Sequence, residues 1–186
     1  MRLCFLTMAV AVSLLEAQDL PIDTARSAIT IHVGKAGLLS AAGHEHWIEA
    51  PISTGSIRES TAPHVEFKVE SSKMMVKPDP KVDAKTQATI QKDMEEMTIE
   101  TRKYPEITFQ SSRVEASGNG QWNVLGNLSL HGVTKPVSVM VKRSGGAYTG
   151  HTTLKQTDFE IKPISVGGGT IKVKNEIEID FQIYLK

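Results

Sequence analysis

The chain has 186 residues, with 21 basic and 21 acidic side chains and a formal net charge of zero. Apolar residues make up 40% and charged residues 23%, the balance of an ordinary globular protein of one domain. The absence of a concentrated positive field argues against nucleic acid or an anionic membrane surface as the main partner.

The first residues read as an export signal. Arg2 is a short positive start, Leu3 to Leu15 is nearly all apolar, and Ala17 is a small residue before a cut. The reading divides the chain into a signal peptide at 1–17 and a domain at 20–186. The apolar run is too short for a membrane span, and no later segment approaches the required length, so an integral membrane protein is not expected. Cys4, the only cysteine, falls inside this signal. The domain is therefore expected to lack disulfides, thiolate nucleophiles and cysteine metal sites.

Ile29, Ile31 and Val33 then share one parity, the pattern of a half-buried strand. Gly43-His44-Glu45-His46-Trp47 follows, and after it Val65, Phe67 and Val69 alternate with charged residues. The stretch from Asp83 to Thr101 lacks Gly and Pro, and Ile90, Met94 and Met97 fall at helical spacing. Pro78 and Pro80 precede it and Pro105 ends it, which predicts one inserted amphipathic helix. Val124, Leu128 and Leu130 form another one-sided run, as do Val137, Val139 and Val141. Between such runs lie the turn signals Gly118-Asn119-Gly120, His131-Gly132, Gly145-Gly146 and Gly167-Gly168-Gly169. The last segment is the clearest: from Ile171 the odd positions are apolar to Leu185, apart from Asn175, and the even ones are mostly charged. Long one-sided strands joined by short turns predict a mainly β protein, an antiparallel barrel of about eight strands with one helix on it. Eight strands enclose a space that side chains fill or that holds one small ligand, and periodicity leaves that choice open.

Parity assigns the inward faces. Ile177, Ile179, Phe181 and Ile183 on the last strand, Phe67 and Val69, and Leu128 and Leu130 are the candidate lining of a lipid tunnel. His44 and His46 point the same way if they lie on a strand, and a third ligand from His32, His64 or His131 would complete a metal site. The alternatives are a polar rim of His44, His46 and Trp47 that meets a ligand head group, or a purely structural triplet. His131-Gly132 reads as turn chemistry before it reads as a ligand contact. Met74, Met75, Met94 and Met97 read as core filling or as an adaptable apolar lip. Trp47 and Trp122 read equally as strand packing or as residues at a ligand entrance. Asn127-Leu128-Ser129 matches a glycosylation sequon by pattern alone. There is no nucleophile elbow, phosphate loop or dinucleotide fingerprint, and no nucleophile–base pair can be named, so no enzyme is expected.

Several segments together resemble the YceI-like family. Ile22-Asp23-Thr24-Ala25-Arg26-Ser27 through Ile31 is similar to that family's opening strand, with Arg26 where a histidine is usual. Gly43-His44-Glu45-His46, Tyr104-Pro105-Glu106-Ile107-Thr108-Phe109 and Gly126-Asn127-Leu128-Ser129-Leu130-His131-Gly132-Val133-Thr134-Lys135-Pro136 also resemble it. Thr157-Asp158-Phe159-Glu160-Ile161 is similar to its Asp-Phe-Gly-Ile, with Glu160 in place of glycine. The resemblance implies a lipocalin-like barrel, periplasmic or secreted, whose tunnel encloses a polyisoprenoid or isoprenoid-quinone tail with the head group near the mouth. It implies no catalytic residue and no cofactor beyond the bound lipid. A His-dependent metal- or haem-linked accessory protein and a side-chain-filled barrel acting as an interaction module are the alternative expectations, and a homodimer is left open.

Overall fold

The computed structural model describes residues 18–37, 45–60, 62–166 and 170–186. The strands are β1 (Asp19–Pro21), β2 (Ala28–Ala36), β3 (His46–Glu49), β4 (Ile52–Arg58), β5 (His64–Glu70) and β6 (Met75–Val76). After helix α1 (Ala84–Asp93) come β7 (Glu106–Gly118), β8 (Gln121–Leu130), β9 (Val133–Ser144), β10 (Ala147–Lys155), β11 (Ser165–Val166) and β12 (Ile171–Ile183). The expected export signal and Cys4 lie outside the described residues.

All pairings are antiparallel, and eleven strands form one path in the order β1-β4-β5-β7-β8-β9-β10-β12-β2-β3-β6, with β11 on β12 off that path. The sequence predicted about eight. Eight strands do have seven residues or more; the others are pieces of two to four residues that alternation over a longer window does not resolve. One division has a plain cause. Ala50-Pro51 interrupts what would be a single strand, leaving β3 paired with β2 and β4 paired with β5. This shared strand turns the sheet back on itself. At one end the curl is completed by an Ile22↔Leu185 bridge, with Ile22 N–H donating to Gly55 O at 2.9 Å and Lys186 N–H to Pro21 O at 3.0 Å.

Two glycines allow aromatic rings to lie flat on the inner wall. A Cβ on Gly126 would sit 2.4 Å from Cζ of Phe109, and one on Gly150 would sit 2.4 Å from Cζ of Phe181. The buried core includes Ile22, Ile52, Val69, Met74, Leu130, Phe159 and Ile161.

The predicted helix is shorter than expected. Asp83 caps α1 by accepting from the Lys85 and Thr86 N–H groups at 3.0 Å each. A π turn at Met94–Thr98 then replaces the end of the α-helix. The wider turn rotates the following residues off the apolar stripe, so Met94 is buried and Met97 is 68% exposed. Gln91 fixes the helix to β6, donating to Met74 O at 2.9 Å and accepting from Val76 N–H at 2.8 Å.

The two departures from the resembled pattern have structural accounts. Arg26 lays its guanidinium 4.2 Å from the centre of the Tyr184 ring. Glu160 has φ of 58°, a left-handed conformation, which is the physical reason a glycine suits that position. It closes a 3-10 turn at Gln156–Phe159. Asn175, the one polar break in the apolar face of β12, lies in the irregular stretch between Val173 and Ile177 and ties this turn down. Its Oδ1 accepts the Thr157 N–H at 3.0 Å and its Nδ2 donates to Thr157 Oγ1 at 2.9 Å.

Candidate functional site

The curled sheet surrounds a cavity of about 990 Å³. Inward residues of β2, β5, β7, β8, β9, β10 and β12 form its wall, and Ile90, Met94 and Ile99 cover part of it from the helical segment. The eight residues singled out by parity all lie on this wall: Ile177, Ile179, Phe181 and Ile183 from β12, Phe67 and Val69 from β5, and Leu128 and Leu130 from β8. They come together because period-two alternation on a curled sheet sends one parity inward on every strand. Phe67 and Phe109 stack across β5 and β7 with ring centres 5.4 Å apart. Met74 and Met94 line the space, whereas Met75 and Met97 face solvent.

The expected rim of His44, His46 and Trp47 does not assemble as read. His46 reaches the cavity wall. Trp47, its neighbour on β3, points the opposite way by strand alternation, is 45% exposed, and stacks on His32 with centroids 4.3 Å apart. His44 lies outside the described residues. The three histidines considered as further metal ligands are held elsewhere. His32 sits between Glu45 and Glu178 at 3.2 and 3.3 Å, His64 is bonded to Ser111 Oγ at 3.0 Å, and His131 meets Glu100 at 2.8 Å. Among the described residues no group of three His, Cys, Asp or Glu is arranged to hold a metal ion.

Sequence reading missed a polar group on the wall at the end bearing the Gly145-Gly146 turn. The Tyr148 hydroxyl donates to the Glu59 carboxylate, and Arg143 Nη1 lies 3.4 Å from the same carboxylate. Arg143 also stands over the Tyr148 ring, 5.4 Å from its centre. A tyrosine just inside a Gly-Gly hairpin was the available signal, but its partner Glu59 lies 89 positions away and no local pattern links them. Burial, followed by the bond to Glu59, pushes the Tyr148 phenol up to about 12. A phenol that keeps its proton longer in the folded state adds stability below the unfolded value near 10, and that stability is lost as pH rises through about 12. Tyr148→Phe is therefore expected to remove one late-titrating phenol from an ultraviolet alkaline titration and to flatten the fall in stability over that window. An unchanged titration curve would contradict the assignment.

Beside the cavity, Ser111 is held in a local hydrogen-bond network. Ser111 Oγ accepts the Val65 N–H at 2.9 Å and shares its remaining capacity with His64. The cavity can desolvate an apolar chain and offer a few polar groups to the chain's end.

The sequence model of the YceI-like domain family matches residues 21–185. A UPF0312 protein of Vibrio campbellii is 37% identical over 92 residues, covering 44% of this chain and 47% of that protein. A UPF0312 protein of Shewanella sp. (strain ANA-3) is 32% identical over a stretch of the same length. These alignments span about half the length of the curated relatives. The crystal structure of Burkholderia cenocepacia BcnA matches with a TM-score of 0.63 at 17% identity, over 87% of this chain and 98% of that one. A polyisoprenoid binding domain from Saccharophagus degradans, described as implicated in plant cell wall breakdown, matches with a TM-score of 0.59 at 16% identity, over 89% and 97%. At such identities these likenesses speak for the fold.

Proposed function

The chain belongs to the YceI-like family, and from that premise we propose that it is an exported carrier that holds the isoprenoid-type tail of a lipid inside its barrel. The observation that carries this reading is the apolar cavity of about 990 Å³. A barrel filled by its own side chains would leave no such space, so the cavity favours the carrier over the interaction module. The description of the Saccharophagus degradans neighbour as polyisoprenoid binding supports the same ligand class. At about 30 Å³ for a group the size of water or a methylene, the space takes on the order of thirty carbon atoms. Each buried methylene contributes about 0.8 kcal/mol, so a tail is held by desolvation with few polar contacts. Glu59, Tyr148, Arg143 and His46 are the groups available to a polar end. The ligand is held and not transformed, and the run from Leu3 to Leu15 supports a periplasmic or secreted location.

Native mass spectrometry of the protein from the exported fraction, followed by organic extraction, tests this proposal. A stoichiometric apolar adduct of isoprenoid mass is expected. A bare polypeptide from cells that make such lipids would overturn the carrier reading.

A further inference from the structure

The ladder between β9 and β10 runs only from Ala147↔Ser144 to His151↔Met140. Yet β9 begins at Val133 and β10 continues to Lys155. Over 133–139 and 152–155 the two backbones are unpaired with each other, although each stays paired on its far side, β9 with β8 and β10 with β12. Pro136 lies in this stretch and has no N–H to offer a neighbour, which disfavours zipping the gap shut. A second cavity of about 740 Å³ occupies the gap. Val137, Ser138, Thr152 and Leu154 line both this cavity and the main one. A single layer of side chains therefore stands between the main cavity and the outside of the barrel.

We propose that this slit is the side door through which an apolar chain enters and leaves the barrel; the proposal rests on the carrier reading above. Bonded contacts stand at the rim of one end and beside the helix towards the other. At one end the Ile22↔Leu185 bridge completes the wall, and the Glu59–Tyr148–Arg143 contacts and the Arg58–Asp19 ion pair at 2.8 Å stand at the rim. Towards the other end stands the helix, with Gln91 bonded to both Met74 and Val76. In the slit no ladder hydrogen bond has to be broken, because none joins the two edges, and only side chains such as Val137 and Leu154 stand in the way. Phe159, buried at the foot of the gap in the turn held by Asn175, keeps the two edges apart.

A cross-link across the slit tests the door. Continuing the observed register would place Ser138 opposite Thr153, so Ser138→Cys with Thr153→Cys in a Cys4→Ser background gives a pair of thiols for a short bifunctional maleimide. Stopped-flow uptake and release of a fluorescent farnesyl probe are the readouts. Linking is expected to slow both at least tenfold, while probe loaded before linking stays bound at the same stoichiometry. A second linked pair, Asn123→Cys with Met140→Cys, joins residues already paired in the β8–β9 ladder and is expected to leave both rates unchanged. The unlinked double variant is the same polypeptide and serves as the folded reference. Normal rates in the linked protein, with equilibrium binding intact, would overturn the door alone. Failure of the unlinked protein to bind farnesyl or longer prenyl probes would overturn the carrier reading, and the door with it.

Discussion

Replacing Ile179 with aspartate is expected to empty the barrel. Ile179 lies mid-strand on β12, opposite Ile31 of β2 and Thr152 of β10, with its side chain on the cavity wall. In the unloaded protein a carboxylate there can keep water around it, so the cost to folding should be modest, about 1–2 kcal/mol. A bound hydrocarbon tail would strip that water and leave a charge without a partner, a penalty of several kcal/mol. At 1.4 kcal/mol per tenfold, affinity for a prenyl probe should fall by at least about a hundredfold. Ile179→Ala, which only removes contact area, should lose about tenfold. Extraction of lipid from the purified variant, beside a thermal melt, gives the result directly. A folded Ile179→Asp protein with its full lipid content would remove Ile179 from the tunnel.

His131→Ala is expected to destabilise the fold markedly. The His131 ring is buried and meets two acceptors: the Glu100 carboxylate at 2.8 Å and the Phe159 carbonyl at 3.2 Å. The Tyr104 ring packs against it with centroids 4.3 Å apart. Among the described residues, three of the four non-glycine residues with positive φ belong to this group: Glu100 at 50°, His131 at 53° and Glu160 at 58°. The imidazole thus holds together the end of the helical segment, the β8–β9 turn and the 3-10 turn, each of which contains one unfavourable backbone conformation. Losing both hydrogen bonds, with the Phe159 carbonyl left buried and the Glu100 carboxylate partly solvated, should cost about 2 kcal/mol. For a chain of this size that corresponds to a fall of about 4–8 °C in Tm. Urea denaturation monitored by circular dichroism would check it, and a midpoint equal to that of the unaltered protein would show that the clasp is dispensable.

The inner wall was legible in the sequence because it depends on parity alone. Ile177 to Ile183 alternate without interruption, and a curled sheet leaves them one dry direction to face. The helix was legible from composition and flanking prolines, but its π turn was not, because Met97 keeps helical spacing in the sequence while the backbone widens beneath it. The direction of Trp47 was hidden for a related reason. Gly43-His44-Glu45-His46-Trp47 gives no apolar alternation to set the register, and only pairing with β2 fixes which neighbour faces in. His131 looked like turn chemistry, and it is in a turn; its partners Glu100 and Phe159 are 31 and 28 positions away, beyond any local pattern. The slit was only partly legible: Pro136 marks an unzipped edge in the sequence, but where the β9–β10 ladder stops depends on pairing between strands. Asn175 shows the converse, a break in pattern that could be seen but whose purpose required the fold.

The position of β12 in the wall sets an order of assembly. Lying between β10 and β2, it joins the final strand to one formed near the start of the domain, in a register that pairs Ile179 with Ile31. During synthesis from the N-terminus, β2 must wait for nearly the whole chain to emerge before its edge on that side is covered. Contacts of such sequence separation form slowly, and until they form the inner faces of both strands are open to other molecules. A ribosome halted before Ile171 would therefore carry an open trough with two free edges at β10 and β2, a species prone to sticking to its neighbours.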